Sequence, residues 1–304
     1  MTIRDMLYLT TIGEEKSITK AANKLFVAQP ALSQCLQKIE KELGTEIFVR
    51  TSSGVRPTVE GQCFLKFAAH TLLEYQGMQK QISDVKNKGG GMVTVGLTGT
   101  QATYVLPYFL PRFHQQYPNI EVVLVEDNSN MIEEKLASGE VDIGIVHLPI
   151  LNTNLDYFEL SQDDMVVIPR SFSRFQPYIY YLDGDNRPYL DVEFLKNEPL
   201  VLTPANQRSR MICNQIFGKA GISPEVKQVS KNLIALDALA QADYATTIIP
   251  SKQASDALRR RGWYYFDPRY SVPYTFCVAT LRHAYISMAA QKLLNLLYEL
   301  RGTF

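Results

Sequence analysis

Between Asn87 and Gly91 the chain reads NKGGG, and the hydrophobic pattern has a different period on either side of it. Before the break, apolar residues recur every three or four positions, interrupted only by one short hairpin-like stretch. After it, short β-branched runs alternate with helical stripes. A chain whose period changes in this way cannot be one bundle or one sheet. At 304 residues it is long enough for two or three separate cores, and the glycines supply a flexible connection between them.

On the N-terminal side, Ile3, Met6, Leu7, Leu9 and Ile12 form one helical stripe. Ser17 is placed to cap a second helix, ITKAANKLF, in which Ala21, Ala22 and Leu25 share a face. After VAQ, Pro30 falls in the first turn of a third helix, where its missing N–H costs nothing. That helix turns Leu32, Leu36, Ile39 and Leu43 inward and is predicted to stop at Gly44. The small Ala21 and Ala22 permit close approach of the second and third helices, the geometry of a helix-turn-helix.

The outward face of the third helix carries Gln29, Ser33 and Gln37, flanked by Pro30, Gln34 and Lys38. Amides and hydroxyls both donate and accept, as base edges in a DNA major groove require, and Pro30 offers apolar contact to a thymine methyl. A merely solvated face would carry Lys/Glu pairs at four-residue spacing, and these begin only beyond Gln37. The following TEIFVRTSSGVRPT reads as a two-stranded wing that places Arg50 and Arg56 near phosphates or a minor groove. Residues 1–60 carry eight Lys/Arg against seven Asp/Glu, and the whole chain has 31 of each. Net charge therefore gives no sign of nucleic acid, and a single copy is expected to bind DNA weakly.

Thr58 can cap a long helix predicted to reach about Lys86. Its positions Gly61, Phe64, Ala68, Thr71, Tyr75, Met78, Ile82 and Val85 alternate by three and four, the heptad spacing of a helix that pairs with another helix. Gly61 and Thr71 weaken that seam.

Beyond Met92 the alternation of strands and helices predicts an α/β fold, with a mostly parallel sheet covered on both faces, and its length suggests two similar lobes. The first strand, MVTVG, ends in the turn LTGTQ, which feeds a helix beginning near Gln101. Ligands of parallel sheets lie at such strand ends. Gly99 permits close backbone approach, while Thr98, Thr100 and Gln101 sit beside free helix N–H groups that favour a carboxylate or phosphate. Capping alone would also explain Thr98 and Thr100.

Several chemistries find no support. There is no nucleophile elbow, Walker loop or complete GxGxxG turn, and His70, His114, His147 and His283 stand apart, with His147 following a buried strand into the cleft. Cys35, Cys63, Cys213 and Cys277 form no CxxC pair, so no metal site, cofactor or disulfide is expected, and Cys213 reads as an inert buried thiol. With neither a signal-peptide core nor a membrane-length apolar run, a cytoplasmic location without membrane attachment is expected.

SITKAANKLFVAQPALSQCLQKIEKELGTEIFVR, RPTVEG, VLPYFLPRFHQQYPNIEVVLVE and LASGEVDIGIV, taken in order, resemble the LysR-type transcriptional regulators, and the likeness runs the length of the chain. It implies a winged helix-turn-helix over 1–58, a linker helix over 59–87, a hinge at 88–91, and a two-lobed effector domain over 92–304 like the type 2 periplasmic-binding proteins. The lobes would comprise about 92–161 with 268–304, and about 162–267. The resemblance also implies a homotetramer built from dimers, acting on promoter DNA under control of a small-molecule effector, anionic by the chemistry of the LTGTQ turn. That effector would lie in a cleft formed by Thr98, Gly99, Thr100 and Gln101, with His147 at the crossover and Thr203 and Asn206 from LTPANQ opposite. Where family members commonly carry Ser, a basic residue and a Gly-rich turn, this chain has Ala28, Gln34 and QADYATT, which would bring Tyr244 into a cleft wall. Oxidant-sensing relatives need a paired-cysteine loop, whereas NQRSRMICNQIFGKAG offers only Cys213. The alternative reading is a small-molecule binding protein or enzyme with an appended helical domain.

Overall fold

The computed structural model describes residues 1–52, 54–87, 90–254 and 260–303. The chain forms two compact units, Met1–Lys88 with His283–Ser287, and Gly89–Arg282 with Met288–Phe304. Part of the predicted 88–91 hinge lies outside the described residues.

The first unit contains α1 (Ile3–Glu15), α2 (Ile18–Lys24), α3 (Gln29–Leu43), the antiparallel pair β1 (Phe48–Thr51) and β2 (Gly54–Pro57), and α4 (Val59–Asn87). Ser17 accepts the Lys20 backbone N–H, and Gly44 closes α3 in the left-handed region at φ 70°. Ala28, where relatives commonly carry Ser, is the N-cap of α3 and makes no side-chain cap bond. Leu9, Ile12, Ala21, Ala22, Leu32, Leu36 and Ile39 share one core, as their spacing predicts. Leu7 and Leu43 do not join it. Each is nearly half exposed, Leu7 because it lies about a hundred degrees round α1 from Met6, and Leu43 because the last turn of α3 extends past the core.

The start of α4 corrects the predicted seam. Gly61, Phe64 and Ala68 are buried in the first unit's own core. A Cβ on Gly61 would lie 1.9 Å from the Ile47 carbonyl oxygen, so glycine there serves a close helix-to-wing contact. Further along, Thr71 is half-buried and its hydroxyl donates to the Phe67 carbonyl. Tyr75, Met78, Ile82 and Val85 are exposed, Val85 at 81 %.

The second unit runs β3 (Gly91–Leu97), α5 (Gly99–Gln116), β4 (Ile120–Glu126), α6 (Ser129–Ala137), β5 (Ile143–His147), β6 (Leu155–Asp163), β7 (Met165–Ile168) and α7 (Phe172–Phe175). It continues with β8 (Ile179–Tyr180), β9 (Tyr189–Leu190), β10 (Leu200–Leu202), α8 (Arg208–Ala220), β11 (Val226–Val229), α9 (Leu233–Gln241), β12 (Thr246–Pro250), β13 (Tyr264–Phe266), β14 (Tyr274–Leu281) and α10 (Met288–Glu299). The strands make two sheets, ordered β4-β3-β5-β14-β6 and β11-β10-β12-β7-β13-β9-β8.

Both sheets are mixed rather than mostly parallel. β14 runs antiparallel to β5 and β6, and β7 runs antiparallel to β12 and β13. Each of these strands lies where the chain passes from one sheet to the other, and a crossing chain enters the sheet against the direction of the βα units. α6 lies close on the first sheet because Gly144 leaves room for Leu136, whose Cδ1 a Cβ would meet at 2.6 Å. Cores formed by Val93, Phe109, Ile145, Phe276 and Leu293 in one lobe, and by Met165, Leu190, Leu202, Ile216 and Phe266 in the other, hold the two lobes.

Candidate functional site

On α3, the exposed face is the one that the sequence marks. Gln29, Pro30, Gln34 and Gln37 are exposed and Ser33 is half-buried. The Gln29 amide donates to Ser33 Oγ at 2.8 Å, so these two polar groups are held together at the first turn. Arg50 and Arg56 are both exposed on the wing, on neighbouring rungs of the ladder, where the β1–β2 register sets Val49 opposite Arg56 and Arg50 opposite Val55. Every predicted DNA contact thus lies on α3 or the adjoining hairpin.

In the second unit a cavity of about 390 Å³ opens between the lobes, a size typical of small-ligand sites. Four helices begin at its wall. Thr98 and Gly99 come from the start of α5, Asn128 and Ser129 from α6, Arg208 and Ser209 from α8, and Lys231 and Leu233 flank the Asn232 cap of α9. Thr98, Asn128 and Asn232 each accept backbone N–H groups of their own helix. Gln207, the N-cap of α8, makes no such bond, so its side chain does not satisfy the positive end of α8.

The lobes are joined beside this cavity by a buried ion pair. Arg208 Nη2 donates to Glu133 Oε1, and both side chains are at least 96 % buried. Arg208 Nη1 donates to Asn130 Oδ1 at 2.7 Å, while Glu133 Oε2 accepts the backbone N–H groups of Leu151 and Asn152 at 2.8 and 2.9 Å. Arg208 Nε is buried and has no hydrogen-bond partner among the described residues.

His147 ends β5 in the cavity wall, its ring stacked on Tyr274 at 3.9 Å. Burial, reinforced by the nearby charge of Arg208, pushes its pKa down from 6.5 to about 3. The folded form therefore binds fewer protons than the unfolded chain between those values. His147 costs no stability above pH 6.5, and stability falls as pH drops below it. Between pH 7 and 5, denaturant unfolding should show His147→Phe losing roughly 2 kcal/mol less stability than the unsubstituted protein. Equal losses would place the histidine in a more solvated setting than the structure gives it.

Of the predicted effector residues, Thr98, Gly99, His147 and Asn206 line the cavity. The Thr100 side chain lies outside the described residues. Three predictions are corrected. Gln101 is fully buried behind the wall, where Oε1 accepts the Thr98 backbone N–H at 2.9 Å and Nε2 meets His147 Nδ1 at 3.2 Å. Thr203 is buried with its hydroxyl 2.8 Å from Ser209 Oγ, so it supports a wall residue instead of forming the wall. Tyr244 is absent from the lining, because the 241–247 turn directs its ring under Lys227 Nζ, 4.0 Å away. Asp127, Arg208, Lys231, Gln253 and Tyr274 line the cavity without having been predicted. Asp127, just past the carboxyl end of β4, and Arg208 and Lys231, at the starts of α8 and α9, occupy positions that such a cleft favours, whereas Gln253 and Tyr274 carry no local signal.

Burial pushes the Cys213 and Cys277 thiols up to about 12 and Cys35 up to about 11, which leaves them protonated and unreactive at neutral pH. Among the described residues no group of His, Cys, Asp and Glu could hold a metal ion, and no helix is long and apolar enough to cross a membrane.

Residues 3–62 match the family model for the bacterial regulatory helix-turn-helix protein of the lysR family, and residues 86–301 match the LysR substrate binding domain. The uncharacterized HTH-type transcriptional regulator YcgK of Bacillus subtilis (strain 168) is 26 % identical, over 100 % of this chain and 96 % of its own length. The Hca operon transcriptional activator HcaR of Escherichia coli (strain K12) is 26 % identical over 82 % of each. Among solved structures, a full-length OxyR point variant from Pseudomonas aeruginosa superposes with a TM-score of 0.62 at 22 % identity, covering 98 % of this chain and 94 % of that one. Full-length CbnR complexed with its target DNA superposes with a TM-score of 0.57 at 22 % identity, covering 99 % and 100 %. With both of its parts matched in order, the chain belongs to the LysR family of bacterial transcriptional regulators.

Proposed function

We propose that this regulator binds inverted repeats in promoter DNA as a homo-oligomer, and that a small anionic molecule in the cavity between the lobes of its second unit switches it. The observation that carries the DNA reading is the exposed α3 face, where amide and hydroxyl groups occupy the positions that salt-bridged residues occupy on a solvated helix. Gln29, Ser33, Gln34 and Gln37 read base edges, Pro30 meets a thymine methyl, and Arg50 and Arg56 hold the backbone or minor groove. The CbnR complex, a structure of the same fold on DNA, supports the assignment. Near-neutral residues 1–60 call for more than one copy per operator. The exposed Tyr75, Met78, Ile82 and Val85 on α4 supply a face for pairing, and tetramers then arise from two such dimers.

The anionic reading rests on four helix starts around one cavity, with Lys231 at its exposed rim. Gel-shift titrations on genomic fragments test the DNA reading. Gln29→Ala should weaken the specific site by about 1–3 kcal/mol and flatten sequence preference, whereas Arg56→Ala should weaken specific and random DNA alike and lower the salt slope by about one. Equal losses on both DNAs for Gln29→Ala would remove it from base readout.

A further inference from the structure

The Gln101–His147 contact fixes where a proton sits. Gln101 closes the capping box of α5, its Oε1 accepting the Thr98 backbone N–H. A backbone N–H can only donate, so the oxygen of the amide must face it and the nitrogen must face the histidine. That nitrogen donates to His147 Nδ1 at 3.2 Å. A neutral imidazole that accepts at Nδ1 carries its hydrogen on Nε2. Nε2 is buried, and no hydrogen-bond partner for it is present among the described residues. The residue is 2 % exposed and belongs to the cavity wall. An unmet buried donor is costly in the empty protein and is rare outside sites that take a ligand or a water.

The charge of this inner wall selects what the donor takes. Arg208 is matched by Glu133, and His147 is neutral, so no net positive charge faces the inner end of the cavity. A carboxylate there would lose its water and find only neutral or already neutralised donors. The rim is different, with exposed Lys231, offset in the same lining by the half-buried Asp127, and with the start of α8, whose Gln207 N-cap makes no side-chain bond. We propose that His147 is the specificity-determining contact of the cleft, donating Nε2–H to an uncharged carbonyl or hydroxyl oxygen of a small carboxylic acid whose carboxylate sits at the rim. This rests on the reading of the cleft as the effector site and narrows it to oxygenated acids.

Matched acids test it on the full-length protein: propanoate with lactate and pyruvate, glutarate with 2-oxoglutarate, and benzoate with 4-hydroxybenzoate, each by thermal shift and calorimetric titration. In at least one set, an oxygenated acid should bind tenfold or more tightly than its unsubstituted partner. His147→Phe, which keeps a ring over Tyr274, should abolish that preference, and His147→Gln, which keeps an N–H donor, should restore part of it. A ligand-free readout is available from nitrogen-proton correlation spectra at pH 7. The imidazole signal lost in either variant should be that of the Nε2-protonated tautomer. An Nδ1-protonated signal, binding without preference, or preference retained in His147→Phe each overturns the assignment while leaving the anionic cleft intact. If no acid binds at all, the cleft reading falls with it.

Discussion

Glu133→Ala is expected to destabilise the second unit by about 3–5 kcal/mol, the usual result of removing one partner from a buried ion pair. Arg208 would be left almost fully buried with Nη1 on Asn130 Oδ1 and Met211 Sδ but no carboxylate, and the Leu151 and Asn152 N–H groups would lose their acceptor. The cost is that of a stranded charge rather than the worth of the pair. Glu133→Ala with Arg208→Met should therefore recover much of the loss, since an apolar replacement of both partners is often neutral. Urea unfolding of the two variants decides it. A single-variant loss below about 1 kcal/mol would mean that water or another carboxylate reaches Arg208.

Met78→Lys combined with Ile82→Lys is expected to convert the protein to monomers and to lower affinity for an inverted repeat by about 10²–10⁴-fold, the gain that linking two binding heads confers. The prediction follows from the proposed pairing through the exposed half of α4. These two positions are 44 % and 46 % exposed in the single chain, so lysine there is tolerated by the fold and rejected only by an apolar partner. Unchanged thermal stability of the first unit should accompany the loss. Sedimentation that still reports a dimer would mean that the apolar stripe is an ordinary exposed face.

What the sequence conveys depends on whether an interaction is local. Caps such as Ser17, Thr98 and Gly44, and the inward stripe of α3, are set by residues three or four apart and are legible. The Arg208–Glu133 pair joins residues 75 positions apart, and no periodicity marks it. Gln101 stands out by residue type yet takes a different role from the one expected, because closing a capping box and binding an anion call for the same groups. The α4 stripe shows a related ambiguity. Heptad spacing predicts apolar partners for Phe64 and Met78 alike, yet Phe64 is buried in the chain's own core while Met78 is exposed, and spacing alone does not tell the two apart. The short strands β8, β9 and β13, and the longer β6, escape notice because two or three residues carry no period and β6 is polar at alternate and even adjacent positions.

The five-stranded sheet has its own history during synthesis. β14, near the C-terminus, lies between β5 and β6, which precede the entire other lobe in the chain. A ribosome therefore releases β3 to β6 more than a hundred residues before the strand that joins them, and β5 and β6 must wait with unpaired edges. The later-made lobe can close first, because all its strands from β7 to β13 emerge together. A chain cut short before Tyr274 would keep that lobe and leave the other as an open pair of edges, prone to aggregate rather than to a milder loss of function.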